Sequence, residues 1–500
     1  MGIRSLLVKP IAKYIISKNK KWETNPIEAQ KSIFKKLVEK GSQTVYGKER
    51  KFETIKTYED FKKAVPVVDY EDIKSYIERV KNGEKDILWP GQPLYFAKTS
   101  GTTSGTKYIP ITKESIPYHI NSARDALFNY VVETGNADFF DRKLIFLSGS
   151  PEIEKKNSIY IGRLSGISNH HVPSWLRTNQ MPSYETNCMD DWEAKVDKIV
   201  DETLPEDMSL ISGIPPWVQM YFDKIQAKTG KKIKDVFPNF SVFVYGGVNF
   251  EPYKAKLFES IGKEIDNIET YPASEGFIAY QNTQKDKGLL LLVNNGMFFE
   301  FIPADEYFQE NRRRLSLEQV ELGVNYALVI NSNAGLWGYS IGDTVKFVSK
   351  NPYKIVVSGR IKHFISAFGE HVIGEEVEKA MKYACEQQPG TEVTEFTVAP
   401  QVVDPEGGLP FHEWFVEFST EPTDIESFRN DLDKKLTQLN TYYDDLITGN
   451  ILQKLKIRSI QKGGFIEYMK SLGKLGGQNK VPRLSNDRKL ADGLNSFIKN

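Results

Sequence analysis

Four short apolar runs, residues 143–147, 208–213, 240–245 and 265–270, narrow the fold more than anything else in this chain. Each has the length and content of a strand. Between them, residues 192–200, 216–229 and 252–261 repeat apolar positions at helical spacing. Strand, helix, strand in succession predicts α/β layering with ligand loops at the strand ends. At 500 residues the chain exceeds what one hydrophobic core serves, so two or more domains are expected. A content of 40% hydrophobic and 12% aromatic residues suffices for a sizeable core and argues against disorder over most of its length.

The stretch with the most chemistry is LYFAKTSGTTSGTKYIPIT, residues 94–112. Residues 94–97 read as a short buried strand, after which the chain breaks into Thr99-Ser100-Gly101-Thr102-Thr103-Ser104-Gly105-Thr106-Lys107. Gly101 and Gly105 let the backbone turn its N–H groups toward one point. Six Ser/Thr hydroxyls between Thr99 and Thr106 add donors, and Lys107 adds a mobile positive charge. Such a loop suits an anion, and a triphosphate is the guest it fits. It is not a Walker A loop, because three residues rather than four separate the glycines and Tyr108 follows Lys107. The alternative is a polar turn between two strands.

Ser100 to Lys107 resembles the phosphate-loop signature of adenylate-forming enzymes. Together with its flanks and with TYEDFKKAVPVVDYEDIKSYIERV, residues 57–80, it is similar to the auxin-responsive Gretchen Hagen family of acyl-acid amido synthetases. Further motifs recur in that family's order over residues 25–490. Tyr245-Gly246-Gly247-Val248-Asn249 lies where the resemblance implies the adenine. Tyr271-Pro272-Ala273-Ser274-Glu275-Gly276 looks like the second nucleotide motif, whose carboxylate, here Glu275, holds magnesium; a carboxylate oxygen is the hard ligand that ion accepts. Within LWGYSIGDTVKFV, residues 336–348, Asp343 is placed to accept hydrogen bonds from both ribose hydroxyls. Tyr339 fits the family's aromatic position, whereas Gly338 stands where relatives often carry Arg. For Glu275 and Asp343 the alternatives are a solvent-facing turn carboxylate and a local backbone cap.

Residues 356–362, VVSGRIK, resemble the hinge of adenylate-forming enzymes, with Arg360 directed at the nucleotide and Lys362 at the pivot. His371 follows in FGEHV and reads as structural. Near the end, GGQNKVPR, residues 476–483, resembles the C-terminal lysine motif, so Lys480 is expected to enter the active site when the cap closes; its alternative is a solvent-exposed tail lysine.

Elsewhere, residues 24–82 read as helices with short connections, and residues 112–133 as a helix stopped by Gly135. Residues 148–183, rich in Ser, Gly, Pro and Asn and holding His170, His171, Trp175 and Arg177, read as a long loop and a candidate wall for an organic substrate. Strands are expected at 288–301, 326–331, 393–403, 414–418 and 451–460, with a helix at 424–439. The last three strands and the helix suit an α+β cap.

Acidic and basic residues balance at 66 each, which gives no reason for nucleic acid or a membrane as an obligatory partner. Two cysteines, Cys188 and Cys385, exclude a disulfide scaffold or a cysteine zinc site and fit a reducing cytoplasm. No apolar run reaches the ~20 residues of a membrane span. At the N-terminus, Ile11, Tyr14 and Ile15 can share one face of an amphipathic helix, either against a membrane surface or against the protein's own body.

The resemblance implies a large N-terminal adenylate-forming, firefly-luciferase-like domain with mixed sheets, residues 1–357, a hinge at 358–362, and a smaller α+β C-terminal cap, 363–500. It implies ATP and Mg²⁺, a small carboxylic acid and an amino acid as substrates, and a monomer. Two other readings remain open, a coenzyme A ligase and a non-catalytic ATP-binding protein.

Overall fold

The computed structural model describes residues 2–499 except 103–104, 190, 248–249, 305, 362–363, 366, 371, 473–480 and 482. The four apolar runs become adjacent parallel strands, Lys143–Phe146, Met208–Ser212, Val242–Gly246 and Asp266–Ala273. Parallel strands need long crossovers, and Trp192–Thr203, Pro215–Thr229 and Glu251–Ile261 supply them as helices. Strands covered on both faces read as continuous apolar runs, which is why this half was plain in the sequence. Beyond Asp266–Ala273 the pairing turns antiparallel. Gly276–Gln281, Leu289–Leu291, Tyr353–Arg360, Tyr339–Lys350, Asn325–Ser332 and Met297–Pro303 extend the layer to an eleven-stranded mixed sheet, with Gln180–Met181 at the opposite edge.

The two largest of the apolar cores among the described residues follow from this division. Ile145, Ile211 and Phe243 lead the core of the parallel half, while Phe299, Ile330 and Val345 join the N-terminal helices around buried Trp337. The C-terminal portion is α+β, as expected. Glu392–Gln401 and Phe411–Thr420 pair antiparallel, Lys456–Ile460 pairs parallel, and the helices Gly374–Gln387 and Ile425–Leu439 pack against each other beside them.

Several local expectations are corrected. The chain does not break after residue 97: Tyr95–Thr102 continues as a strand and returns as Gly105–Ile111. Residues 288–301 are two strands, because Asn294-Asn295-Gly296 makes a turn with Gly296 at φ +71°. In 451–460 only Lys456–Ile460 is strand, since Ile451 and Leu452 fill the core without pairing. The segment 148–183 is not a bare loop. Its turn residues punctuate short elements, of which Ile159–Gly162 pairs parallel to Tyr95–Thr102.

One charged cluster holds the antiparallel half to the N-terminal helices. Glu300, fully buried, accepts from Arg314 Nε and Nη2 (both 2.9 Å), Tyr58 Oη (2.8 Å) and Asn331 Nδ2 (2.8 Å). Burial first, then the Glu300 carboxylate, push the Tyr58 hydroxyl far up, so it stays a donor. Asn331 Oδ1 in turn accepts from Gly338 N at 2.6 Å. Gly338 has φ +56°, and a Cβ there would lie 2.2 Å from the Pro66 carbonyl oxygen. Position 338 is therefore closed to a side chain without a shift of the backbone around Pro66.

Replacing Arg314 by Met leaves the Glu300 charge buried and unpaired, and should cost about 3–5 kcal/mol. Urea unfolding followed by tryptophan fluorescence checks this, since Trp89 and Trp337 lie in that core; an unshifted midpoint would contradict it. Gly338→Ala should cost at least about 2 kcal/mol from its left-handed backbone and the Pro66 contact together, read by the same unfolding curve.

Candidate active site

The hairpin Tyr95–Thr102 and Gly105–Ile111 carries the expected phosphate loop. Its register runs Thr99 opposite Lys107 and then shifts to Thr102 opposite Gly105, a bulge beside the tip. Ser100, Gly101, Thr102 and Gly105 therefore sit on the two strands flanking that tip, and Thr103 lies outside the described residues. The returning strand is pinned from behind: Tyr108 N donates to Tyr70 Oη at 2.9 Å, and Lys81 Nζ lies 3.9 Å from the centre of the Tyr108 ring. Burial pushes the Tyr70 hydroxyl up to about 12. Lys107 Nζ lies 5.8 Å from the centre of the Tyr70 ring.

A second group gathers where the sheet changes from parallel to antiparallel pairing. Tyr271 Oη donates to Asp343 Oδ2 at 2.5 Å. Asp343 is the ladder partner of Arg360, and Ile361 N donates to Gly342 O at 2.8 Å, which fixes the start of the expected hinge against the Asp343 turn. Lys362 and His371 lie outside the described residues, as does Lys480. Ala273 pairs with Gly276, leaving Ser274 and half-buried Glu275 as a two-residue turn at the end of the same strand as Tyr271.

One strand over, Thr270 Oγ1 donates to Tyr245 O at 2.9 Å, and a Cβ on Gly246 would lie 2.4 Å from Thr270 O. Tyr245 is packed between Phe243 and Phe250, with ring centres 5.3 and 4.5 Å away. Among the described residues nothing lies within 4 Å of where a Cβ on Gly247 (φ +82°) or Gly342 (φ +84°) would point, so a ligand can reach backbone at either. Tyr339 is buried in the core, and its neighbours Gly338 and Ser340 are tied to Val68 by backbone bonds of 2.9 Å. That burial suits a support for the Asp343 strand better than a contact surface.

The segment expected to form a wall is anchored locally. His171 Nε2 is 3.0 Å from Tyr95 Oη, and His170 Nε2 is 2.7 Å from Pro151 O, so both histidines serve structure. Burial, with a contribution from His170, lowers the His171 pKa and favours its neutral form. Buried Lys195 Nζ donates to Ser148 O (3.0 Å) and Asn187 O (2.7 Å), fixing the segment's start. The cap meets this region through an ion pair of Arg163 with Asp445, through Trp192 against Gly449, and through Tyr253 Oη on the Ala367 carbonyl. Sequence reading missed these anchors. An Arg and an Asp 282 positions apart give no local signal.

The chain was compared with known proteins. The family models "GH3 family N-terminal domain", "GH3 family central domain" and "GH3 family C-terminal domain" match residues 15–156 and 138–265, 290–360, and 375–489. Jasmonoyl--L-amino acid synthetase JAR6 of Nicotiana attenuata is 24% identical, over 91% of this chain and 90% of that protein. Indole-3-acetic acid-amido synthetase GH3.3 of Arabidopsis thaliana is also 24% identical, over 91% and 88%. Among solved structures, AtGH3.15 acyl acid amido synthetase in complex with 2,4-DB superposes with a TM-score of 0.62 at 17% identity, covering 98% of this chain and 96% of that one. A 2-hydroxyisobutyryl-CoA ligase reaches 0.60 at 14% identity, covering 94% and 92%. The fold is thus shared by amide-forming and thioester-forming ligases, while the three matched models run in order along most of the sequence: this chain belongs to the GH3 family.

Proposed function

We propose that this chain is an ATP-dependent acyl-acid amido synthetase. A carboxylate oxygen of a small acid attacks the α-phosphorus of ATP and pyrophosphate leaves. The nitrogen of an amino acid then attacks the acyl carbon, loses a proton, and AMP departs with the electron pair of the cleaved C–O bond. The observation that carries this reading is the Tyr271–Asp343 pair held against the strand end at Arg360, beside the open backbone at Gly342, in a chain of this family. Curated relatives named as jasmonoyl and indole-3-acetic acid synthetases favour amide formation over a coenzyme A thioester.

In this reading Asp343 takes the ribose hydroxyls, and the backbone at Gly246 and Gly247, near Tyr245, Tyr271, Ala273 and Ser274, lines the nucleotide. Ser100, Thr102, Thr103 and Lys107 surround the phosphates, with Gly101 and Gly105 shaping the turn, while Arg360 and Lys480 lie at the phosphate edge. These groups position the substrates and neutralise charge, so no covalent enzyme intermediate is needed. Glu275 would be the protein ligand of a magnesium ion, whose positive charge would offset the charge of the phosphates.

The family boundary between 360 and 375 accords with a body at 1–357, a hinge at 358–362 and a cap at 363–500. A monomer in a reducing cytoplasm completes the reading, the second part of which suits the free thiols of Cys188 and Cys385.

Asp343→Ala should weaken ATP binding by about 1–3 kcal/mol, roughly 5- to 150-fold in Kd, while Tyr271→Phe should cost less. Calorimetric titration with ATP and magnesium measures both, with thermal melting as the check on folding. Unchanged ATP affinity in a folded Asp343→Ala protein would remove the ribose assignment. Absence of acid-dependent pyrophosphate release by the wild type across a broad acid panel would favour a non-catalytic nucleotide binder.

A further inference from the structure

The helix Ile3–Thr24 packs against Ile116–Thr134 and the turn Asp138–Asp141 through Ser5, Val8, Ala12 and Ile16. Its first turn is held by Asp141, whose carboxylate accepts from the backbone N–H groups of Gly2, Arg4 and Ser5 at 2.7, 3.0 and 3.3 Å. Ile15, expected on an outward face with Ile11 and Tyr14, instead turns toward the core. The outward face is nonetheless apolar. Ile3, Leu6, Leu7, Ile11 and Tyr14 are between 49% and 79% exposed. At about 100° per residue they fall, with Pro10, in one band opposite Val8, Ala12 and Ile16.

Charge is arranged around that band. Lys9 and Lys13 border one side and Arg4 the other, Lys18 and Lys21 lie in line with the band beyond Tyr14, and Lys20 pairs with Glu23 at 2.5 Å. Glu23, buried near the helix end, is the one acid of Ile3–Thr24 and is taken up by Lys20, so five basic side chains are left facing outward or along the band although the whole chain balances at 66 of each sign. Lysine stems lie along apolar surface while their ammonium groups reach outward to anions. An apolar stripe between two basic margins is the pattern of a helix lying in the plane of a lipid interface. Two copies of this face brought together would oppose like charges, Arg4, Lys9, Lys13, Lys18 and Lys21 of each, which argues against self-association through it.

We propose that the outward face of Ile3–Thr24 docks the protein on an anionic phospholipid bilayer, with the helix axis along the interface. No described helix is long and apolar enough to cross a membrane, so the contact is peripheral. The apolar band enters the headgroup boundary and the basic margins meet lipid phosphates, which makes binding sensitive to salt. Balanced total charge concealed this, because it is the local segregation that a surface reads.

Co-sedimentation of the full chain with phosphatidylcholine vesicles, and with vesicles also containing phosphatidylglycerol, tests the proposal. The wild type should pellet with the anionic vesicles and be released by high salt. Leu7→Ser with Ile11→Ser should lower partitioning at least about tenfold, and Lys9→Ser with Lys13→Ser should erase the preference for anionic lipid. All four positions are exposed or half-exposed and away from the candidate active site, so melting and pyrophosphate release should be unchanged. A wild type that stays in solution with anionic vesicles, or a double-serine variant that pellets equally, would overturn the proposal. A dimer in light scattering that dissociates on Leu7→Ser with Ile11→Ser would also overturn it and make the face a contact between copies.

Discussion

Glu300 lies at the centre of the antiparallel half with none of its surface exposed, and an ionised carboxylate there is unaffordable unless its lone pairs are met. They are met by side chains from three separate parts of the chain: Tyr58 in an N-terminal helix, Arg314 after the first edge strand, and Asn331 in the next strand. Asn331 passes the constraint on by accepting from Gly338 N, and Gly338 can occupy its place against Pro66 because it has no side chain. The backbone then runs through Tyr339 and Ser340, bonded to Val68, to Gly342 and Asp343. A charge deep in the core thus sets where the candidate ribose ligand emerges. The Gly338 departure from the family pattern is a packing solution with consequences for position, and it leaves the carboxylate in place.

The site lies where this support meets the parallel half of the sheet. Strands Val242–Gly246 and Asp266–Ala273 deliver Gly246, Gly247, Tyr271 and Glu275 at their ends, and the antiparallel partners deliver Asp343 and Arg360. A crevice at the carboxyl ends of parallel strands, beside a change in pairing, is where α/β sheets bind nucleotides. The C-terminal portion meets the body through Arg163 with Asp445, Tyr253 with Ala367 O and Trp192 on Gly449, and through one apolar core in which Phe368, Val377 and Met381 join Val218, Tyr253 and Leu257.

Sequence reading reached the features carried by local pattern. The parallel strands are legible because both faces are buried, and the crossover helices because apolar spacing and caps mark them. Gly135, for example, ends its helix at φ +76° as its type and place predict. The order of the glycine and carboxylate motifs pointed to the family that the domain models match. What stayed hidden depends on partners distant in sequence. The strand from Tyr95 continues through Thr99 because the returning strand of the hairpin pairs with it there, against the local turn chemistry. The histidines of 170–171 find Pro151 O and Tyr95, and nothing near them in sequence says so. Tyr271 and Asp343 are 72 residues apart, and their bond is visible only after the sheet is assembled.

The central claim is that a carboxylic acid becomes activated as an acyl-adenylate before an amine captures it, and oxygen transfer reports on that step directly. A carboxylic acid accepted by the enzyme would be labelled with oxygen-18 in both carboxyl oxygens and incubated with ATP, magnesium and an amino acid. Mass spectrometry of the products would then locate the label. The account predicts one labelled oxygen in the AMP phosphate and one in an acid–amino-acid amide, in equal amounts. Label in inorganic phosphate, or an amide formed without any label reaching AMP, would contradict it.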